Sequence, residues 1–414
     1  MNHLKYDVVL ACGGLGSRLK EITKDVPKPL YPISNKCSLE RCIEELIKYS
    51  FKNILITIGF KSIYFRKFVM QIKKKYKINI FIYEEPKPLG ECGALWNLKE
   101  KLNNDFIFIN GDLVFSIDFE KLINYHTRIS SILTLVTHTS DHPEDSDLVS
   151  APNGSLIKKI FLKNSNQNQI KNAYLGNSGI FLAKKNIIDK LQPPQESESN
   201  SFFHYCVKKL FELGFNIYSY NTTEYIKDMG TPDRFRVVEN DLNLNKVNFK
   251  NYQNKQKALF LDRDNTLIEC NKGDYILDSN NINFLNENIK KIALISKKYQ
   301  ITCLVTNQPA VAMGKLTLEK LDEINSIIIK YCIDLDLKID VVTFCPHHPH
   351  AGFEGEFNLL KKDCFCRKPN PGLFFEQAFY RNIQLNDSLM IGDSEVDFVA
   401  SKKAGCFFKY VDKL

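Results

Sequence analysis

The apolar run Ala258-Leu259-Phe260-Leu261 halts on Asp262-Arg263-Asp264, and few features restrict a fold as tightly. Four apolar residues with no polar alternation describe a short strand buried on both faces. Two carboxylates directly behind it need water, cations or hydrogen-bond donors, so they mark the strand's carboxyl end, where open α/β sheets hold their ligands. A second corner of this kind opens the chain: Asp7-Val8-Val9-Leu10-Ala11 runs into Gly13-Gly14-Leu15-Gly16-Ser17-Arg18-Leu19. Two such corners in 414 residues fit a chain of two to three domains.

Further strand candidates follow each corner. In the first half they are Asn53–Gly59, Ile78–Tyr83, Asp105–Ile109 and Ser131–Thr137; in the second, Ile301–Thr306, Val341–Cys345 and Ser388–Gly392, with amphipathic helical patterns between several of them. Strands alternating with helices predict an α/β fold with mostly parallel sheets covered on both faces. Residues 1–240 and 257–414 are expected to form two Rossmann-like domains, and the Asn/Lys/Gln-rich stretch 241–256 the linker between them.

Composition narrows the function classes. With 44% hydrophobic and 25% charged residues the chain is globular rather than disordered or fibrous. No apolar run approaches the roughly 18 residues a bilayer span requires, and Val8–Cys12 is too short for a signal peptide, so a cytoplasmic protein is expected. The net charge of +8 (56 − 48) is spread along the chain, with no basic block longer than Lys73-Lys74-Lys75. That argues against nucleic acid and for small phosphorylated ligands. An oligomer is compatible with this sequence. The twelve cysteines do not form a disulfide framework, but Cys345, Cys364 and Cys366 cluster with histidines.

In the first half, Gly13, Gly14 and Gly16 let the backbone approach phosphate oxygens, with Ser17 and Arg18 beside them, and two prolines stiffen Val26-Pro27-Lys28-Pro29-Leu30 around one lysine. Two phosphorylated reactants repel each other, and fixed charge at Arg18 and Lys28 would offset that repulsion during attack on an α-phosphorus. These segments resemble the sugar-nucleotide pyrophosphorylase family, whose members join a nucleoside triphosphate to a sugar 1-phosphate. Pro88-Leu89-Gly90-Glu91-Cys92-Gly93 is similar to its base- and sugar-binding loop, which implicates Gly90 and Gly93. Asn110-Gly111-Asp112 matches its metal-binding Gly-Asp, Gly176-Asn177-Ser178-Gly179-Ile180 its sugar-holding turn through Asn177, Lys163 its Glu-Lys pair, and Asp228-Met229-Gly230-Thr231-Pro232 its late Asp-x-Gly-Thr-Pro motif. The resemblance implies a GT-A-like mixed sheet and Mg²⁺ on Asp112 and Asp228. Leu162 stands where the family has glutamate, and Glu91 is also a departure.

In the second half, the carboxylate pair Asp262/Asp264 resembles the Asp-x-Asp signature of the haloacid dehalogenase (HAD) superfamily. That implies Asp262 as nucleophile, Asp264 as general acid and base, and Mg²⁺ on Asp262, Asp264 and Asp393. Its companions follow in order: Thr306-Asn307 as phosphate contacts, Arg367-Lys368 as cations, and Ile391-Gly392-Asp393-Ser394 at another strand end. Between them, Cys345, His347, Cys364 and Cys366 form a Cys₃His set suited to a closed, structural Zn²⁺ site that orders the loop carrying Arg367 and Lys368. This loop resembles the histidinol-phosphatase and heptose-bisphosphate-phosphatase branch; Asn265 replaces a frequent glycine there, Pro309-Ala310 a Ser-Gly-like pair, and Ser394 a lysine. A phosphatase that leaves a sugar 1-phosphate would feed a transferase that consumes one. The pairing implies removal of the C7 phosphate of D-glycero-D-manno-heptose 1,7-bisphosphate, then nucleotidyl transfer to heptose 1-phosphate, with GTP the nucleotide the resemblance suggests. A histidinol-phosphate-type phosphatase, a transferase for another hexose 1-phosphate, and a non-catalytic half remain alternatives.

Overall fold

The computed structural model describes residues 5–13, 19, 23–24, 26–59, 61–86, 89–152, 154–163, 173–195, 201–271 and 273–414. The chain divides into two compact units: Met1–Thr137, Ser155–Ile157 and Asn177–Asn251 in the first, and His138–Gly154, Lys158–Gly176 and Tyr252–Leu414 in the second.

In chain order the first part of the sequence supplies β1 (Tyr6–Ala11), β2 (Ile54–Ile58), β3 (Ile80–Glu84), β4 (Asp105–Asn110), β5 (Leu113–Ser116), β6 (Leu133–Thr139), β7 (Leu148–Ser150), β8 (Lys159–Phe161), β9 (Leu175–Ala183), β10 (Tyr218–Asn221) and β11 (Tyr225–Asp228). In the first unit β3, β2, β1 and β4 lie side by side and parallel, and β9 pairs antiparallel with β4, making the sheet mixed. Val8, Val9 and Leu10 of β1 are fully buried, as an unalternating apolar run requires. Helices α1 (Ser38–Lys48), α2 (Ser62–Tyr76) and α3 (Phe119–Arg128) turn apolar stripes toward the same core. Asp118 caps α3 by accepting from the backbone N–H groups of Glu120 and Lys121.

Two sequence expectations differ from the structure here. Gly176–Ile180, expected as a turn, runs inside β9; Gly179 sits at φ +79°, and a Cβ there would meet the Asn110 amide at 3.0 Å. Backbone curvature at a glycine inside a strand gives the same local signature as a turn. Residues 241–251, expected within a polar linker, are largely helical: α4 (Pro232–Asn243) passes through Asp241, a short helix covers Lys246–Phe249, and Val247 is buried. Asp241 accepts from Tyr225 Oη at 3.1 Å and Lys246 Nζ at 3.1 Å, so polar composition here belongs to amphipathic helices.

The second unit holds β12 (Ala258–Leu261), β13 (Ile301–Asn307), β14 (Val341–Cys345), β15 (Leu389–Gly392) and β16 (Phe407–Tyr410) in the order β14-β13-β12-β15-β16, all parallel. Helices α5 (Asn286–Ser296), α6 (Leu318–Asp334), α7 (Gly372–Arg381) and α8 (Glu395–Ala404) connect or flank these strands. In the same unit β7 and β8 pair antiparallel and Leu175 and Gly176 pair with β7. Among the described residues no helix is long and apolar enough to cross a membrane.

A cluster of Phe108, Phe181 and Phe202 backs the first sheet, with centroid separations of 4.5 Å from Phe202 to each of the others. Phe108→Ala should destabilise the first unit by about 3–5 kcal/mol. The single tryptophan, Trp96, lies in that unit with its indole N–H on Leu191 O, so denaturant titration followed by tryptophan fluorescence reads this loss.

Candidate active sites

Parallel strands put all their carboxyl ends at one edge, and the second unit uses that edge for its acids. Asp262 follows β12, Thr306 and Asn307 end β13, and Asp393 follows β15; the register sets Leu261 opposite both Leu304 and Ile391. Between them lies Lys368, almost fully buried. Its ammonium donates to Asp262 Oδ1 at 2.6 Å, Asp397 Oδ1 at 2.6 Å and the Val305 carbonyl at 2.8 Å. Asn307 clamps the same residue through its backbone, donating to Lys368 O at 2.9 Å and accepting from Lys368 N–H at 3.0 Å. The Asn307 side chain thus grips the lysine backbone.

Asp397 owes its place to the start of α8. Ser394 caps that helix in a reciprocal capping box, its hydroxyl accepting from Asp397 N–H at 3.4 Å and Asp397 Oδ2 from Ser394 N–H at 3.3 Å, and the hydroxyl also donates to Asp397 Oδ2 at 2.6 Å. Gly392 makes room for it, since a Cβ there would stand 2.7 Å from the Asp397 carboxyl.

Carboxylate oxygens of Asp262, Asp393 and Asp397 lie within 4.8 Å of one another. Three carboxylates against one ammonium leave an excess of two negative charges. Burial pushes the Asp262 carboxyl up to about 7 against the pull of Lys368, with Asp397 and Asp264 adding to the rise. Burial also raises Asp393. Burial alone would weaken the Lys368 cation, yet Asp262 and Asp397 hold its pKa above the usual lysine value. An oxygen-rich site with surplus negative charge fits a hard divalent cation.

The sequence puts Asp264 in that ligand set; the carboxylates that lie together are those of Asp262, Asp393 and Asp397. Its carboxylate is taken by the buried Arg263 guanidinium, with Nε to Oδ1 at 3.0 Å and Nη2 to Oδ2 at 3.2 Å, and by Gln308 Nε2 at 3.1 Å. Asp397 is the third acid beside Asp262 and Asp393. Thr306 is buried, its hydroxyl accepting from Gln308 Nε2 at 2.9 Å. Asn265 adopts φ +57°, a left-handed conformation that asparagine tolerates better than most residues, which accounts for its replacing glycine.

The four expected metal donors of the loop meet. Cys366 Sγ lies 3.3 Å from both Cys345 Sγ and Cys364 Sγ and 3.1 Å from His347 Nδ1, and Cys345 Sγ is 3.5 Å from Cys364 Sγ. Thiolates about 2.3 Å from a tetrahedral centre would be separated by about 3.8 Å, so the set is near the size such an ion needs. Hydrogen bonds from Cys345, then Cys364 and His347, draw Cys366 down to about 5 against burial, toward the thiolate a metal binds. Arg367 Nη1 donates to His347 O at 3.2 Å, tying the expected substrate cation to the cluster.

The first unit brings its acids together by register. β11 runs antiparallel to β5 with Asp228 opposite Leu113, the neighbour of Asp112, so two acids 116 positions apart share one end of a ribbon. Asp112 is ion-paired with Lys28; Asp228 accepts from Gly230 N–H at 2.6 Å and Arg234 Nη1 at 3.1 Å. Gly111 cannot carry a side chain, because a Cβ would lie 2.3 Å from Cys12 Sγ. Gly93 is equally constrained, with Leu89 O at 2.2 Å, and Gly13 packs against the buried Glu85 carboxylate. The Glu91 carboxylate accepts from Phe202 N–H at 3.3 Å, and Asn177 Oδ1 from Gly179 N–H at 3.0 Å. Gly90 sits in a turn at φ +74°; Lys163, expected beside these residues, belongs to the second unit, where it is exposed with its N–H on Asp147 Oδ1 at 3.0 Å. Gly14, Gly16, Ser17 and Arg18 lie outside the described residues.

Residue type and spacing do not single out Arg263, Gln308, Asn325 or Arg234; Asp397, one helical turn after Asp393, reads either as support for the site or as a helix-start acid. The Ser394-x-x-Asp397 spacing, a capping-box pattern, is the available signal for the last.

A profile of the nucleotidyl transferase family matches residues 6–244, and one of HAD-hydrolase-like proteins matches residues 365–412. Over 235 residues the chain is 30% identical to the D-glycero-alpha-D-manno-heptose 1-phosphate guanylyltransferase of Campylobacter jejuni, covering 55% of this chain and 96% of that protein. Over 148 residues it is 32% identical to the D-glycero-beta-D-manno-heptose-1,7-bisphosphate 7-phosphatase of Vibrio cholerae, covering 36% of this chain and 76% of that one. A crystal structure from Bacillus anthracis, described as that of a glucose-1-phosphate thymidylyltransferase, superposes with a TM-score of 0.50 at 19% identity, covering 57% of this chain and 94% of that one, a likeness of fold.

Lys368→Met would leave Asp262 and Asp397 buried without their cation. The metal-free second unit should lose about 3–5 kcal/mol at pH 8. Asp262, whose carboxyl is raised above its unfolded value by burial, binds its proton more tightly in the folded state, so the loss should shrink as pH falls toward 5. Denaturant melts of both proteins across this range check the magnitude and the sign.

Proposed function

This chain belongs to the nucleotidyl transferase family through residues 6–244 and carries a HAD-like phosphatase domain behind it, and from that premise we propose that it makes a nucleotide-activated heptose in two steps. First the C-terminal domain removes the C7 phosphate of D-glycero-D-manno-heptose 1,7-bisphosphate. Then the N-terminal domain transfers GMP from GTP to the heptose 1-phosphate and releases pyrophosphate. The observation carrying this reading is that the two relatives act, by their names, at opposite ends of one sugar. Their names differ in the anomer, alpha for the transferase and beta for the phosphatase. Hydrolysis at C7 leaves C1 untouched, so the two steps meet on one sugar only if both domains here accept the same anomer, which we take to be the alpha form named for the transferase.

In the phosphatase step an Asp262 oxygen forms a bond to phosphorus as the bond to the C7 oxygen breaks. Asp264 protonates that leaving oxygen and then takes a proton from the water that opens the aspartyl phosphate. Lys368 holds Asp262 aimed and offsets charge, and Arg367 contacts the phosphoryl group. Mg²⁺ held by Asp262, Asp393 and Asp397 would supply further charge neutralisation. Zn²⁺ on the Cys₃His set would be structural, fixing the loop that bears Arg367 and Lys368. In the transferase, a sugar-phosphate oxygen attacks the α-phosphorus. Lys28 and Arg18 neutralise charge, Asp112 and Asp228 hold Mg²⁺, Gly13, Gly14, Gly16 and Ser17 contact the triphosphate, and Gly90, Gly93 and Asn177 contact base and sugar. Residues 1–240 and 257–414 delimit the two activities, which act on small molecules in the cytoplasm.

The test supplies purified protein with Mg²⁺, GTP and each anomer of the bisphosphate, following phosphate and pyrophosphate separately. The alpha anomer should give both products and a GDP-heptose by mass; phosphate without pyrophosphate would refute the guanylyl step. Asp262→Asn should abolish phosphate release, while GDP-heptose formation from supplied heptose 1-phosphate stays within about twofold. Cys364→Ser should lower bound zinc, measured by atomic emission, together with phosphatase turnover, and leave nucleotidyl transfer intact.

A further inference from the structure

Arg263 lies between the two acids of the Asp-x-Asp corner, where a side chain is free to point to solvent, yet it is fully buried. It donates Nε to Asp264 Oδ1 at 3.0 Å, Nη2 to Asp264 Oδ2 at 3.2 Å and to Gln308 Oε1 at 3.0 Å, and Nη1 to Asn325 Oδ1 at 3.3 Å from α6. Gln308, just past β13, completes the frame. Its carbonyl faces a group that can only donate, and its amide nitrogen donates to Asp264 Oδ2 and Thr306 Oγ1, so its orientation has one solution. Both Asp264 oxygens are thereby fixed by three hydrogen bonds from two side chains that are themselves pinned to β13 and α6.

Burying a guanidinium is a weak route to stability, because desolvation opposes the ion pair. A planar fork does give what a general acid requires, one fixed carboxylate plane. We propose that Arg263, with Gln308 and Asn325 behind it, is the positioning residue that aims Asp264 at the leaving oxygen. This rests on the reading of Asp264 as the acid–base group above. As Asp262 binds phosphorus and the ester bond breaks, the proton must move from Asp264 to the departing alkoxide. In the second step water adds to phosphorus, its proton goes to Asp264, and Asp262 is released. A carboxylate turned away from this line loses proton transfer while the nucleophile stays intact.

The dependence on the leaving group separates this role from a general structural one. The ratio kcat/KM counts steps only through ester cleavage, and a nitrophenolate leaves without a proton whereas a sugar alkoxide does not. In the full-length enzyme, Arg263→Lys should lower kcat/KM for the alpha heptose bisphosphate about 100-fold, within the range general acid catalysis supplies, and for p-nitrophenyl phosphate less than about fivefold. Gln308→Leu, which keeps the Arg263–Asp264 ion pair and serves if Arg263→Lys does not fold, should show the same split at about tenfold. Asp264→Asn provides the reference split. A split in Asp264→Asn with equal losses on both substrates, or no loss, in the other variants would overturn the positioning role alone. No split in Asp264→Asn would remove the acid–base reading and the proposal with it.

Discussion

One buried ammonium organises the second unit. Lys368 Nζ binds the acid after β12, the acid at the start of α8 and a carbonyl of β13, and Asn307 fixes its backbone to the end of β13. Three elements distant in sequence therefore meet at one positive charge. Each carboxylate would be costly to bury alone, and the lysine would be equally costly without them. The arrangement holds only complete, which makes the loop bearing Lys368 part of the site's architecture. The Cys₃His set beside that loop, linked through Arg367 to His347 O, gives it a second anchor.

The first unit solves its charge problem by strand register. Asp112 lies in the turn between β4 and β5, Asp228 arrives on a two-stranded ribbon, and Lys28 pairs with Asp112 from a proline-stiffened segment. Glycine acts here by absence of side chain. At Gly111 the carboxyl end of β4 comes so near β1 that a methyl group would overlap Cys12 Sγ.

Both strand-end corners are legible in the sequence, because an unalternating apolar run that stops at acids or glycines fits little besides a buried strand reaching its ligand edge. The parallel strands of each half are legible for the same reason. The short and the antiparallel members are harder to see: β7, β8 and β10 are three or four residues long, and β9 contains two glycines whose signature is that of a turn. The helices at 232–249 hide in polar composition, since few residues there are buried. Among site residues, motif spacing marks Asp262, Asp393 and the Cys₃His donors. Arg263 and Gln308 carry no spacing rule, because their importance comes from side chains turning inward, a property of packing. Asp397 is visible as a cap and invisible as a partner of Lys368, because pairing across 29 positions is fixed only by the fold.

The missing side chain at Gly392 has a consequence for how this protein can vary. Any substituent there meets the Asp397 carboxyl at 2.7 Å, and Asp397 leads directly to Lys368 and from it to Asp262. A single added methyl would act through Asp397 and Lys368 on Asp262. Drift in this lineage can rework the surface of α8 freely, while the residue before Asp393 is closed even to alanine. Position 392 is therefore where a neutral-looking substitution in a diverged copy would betray a domain that has kept its fold and given up its chemistry.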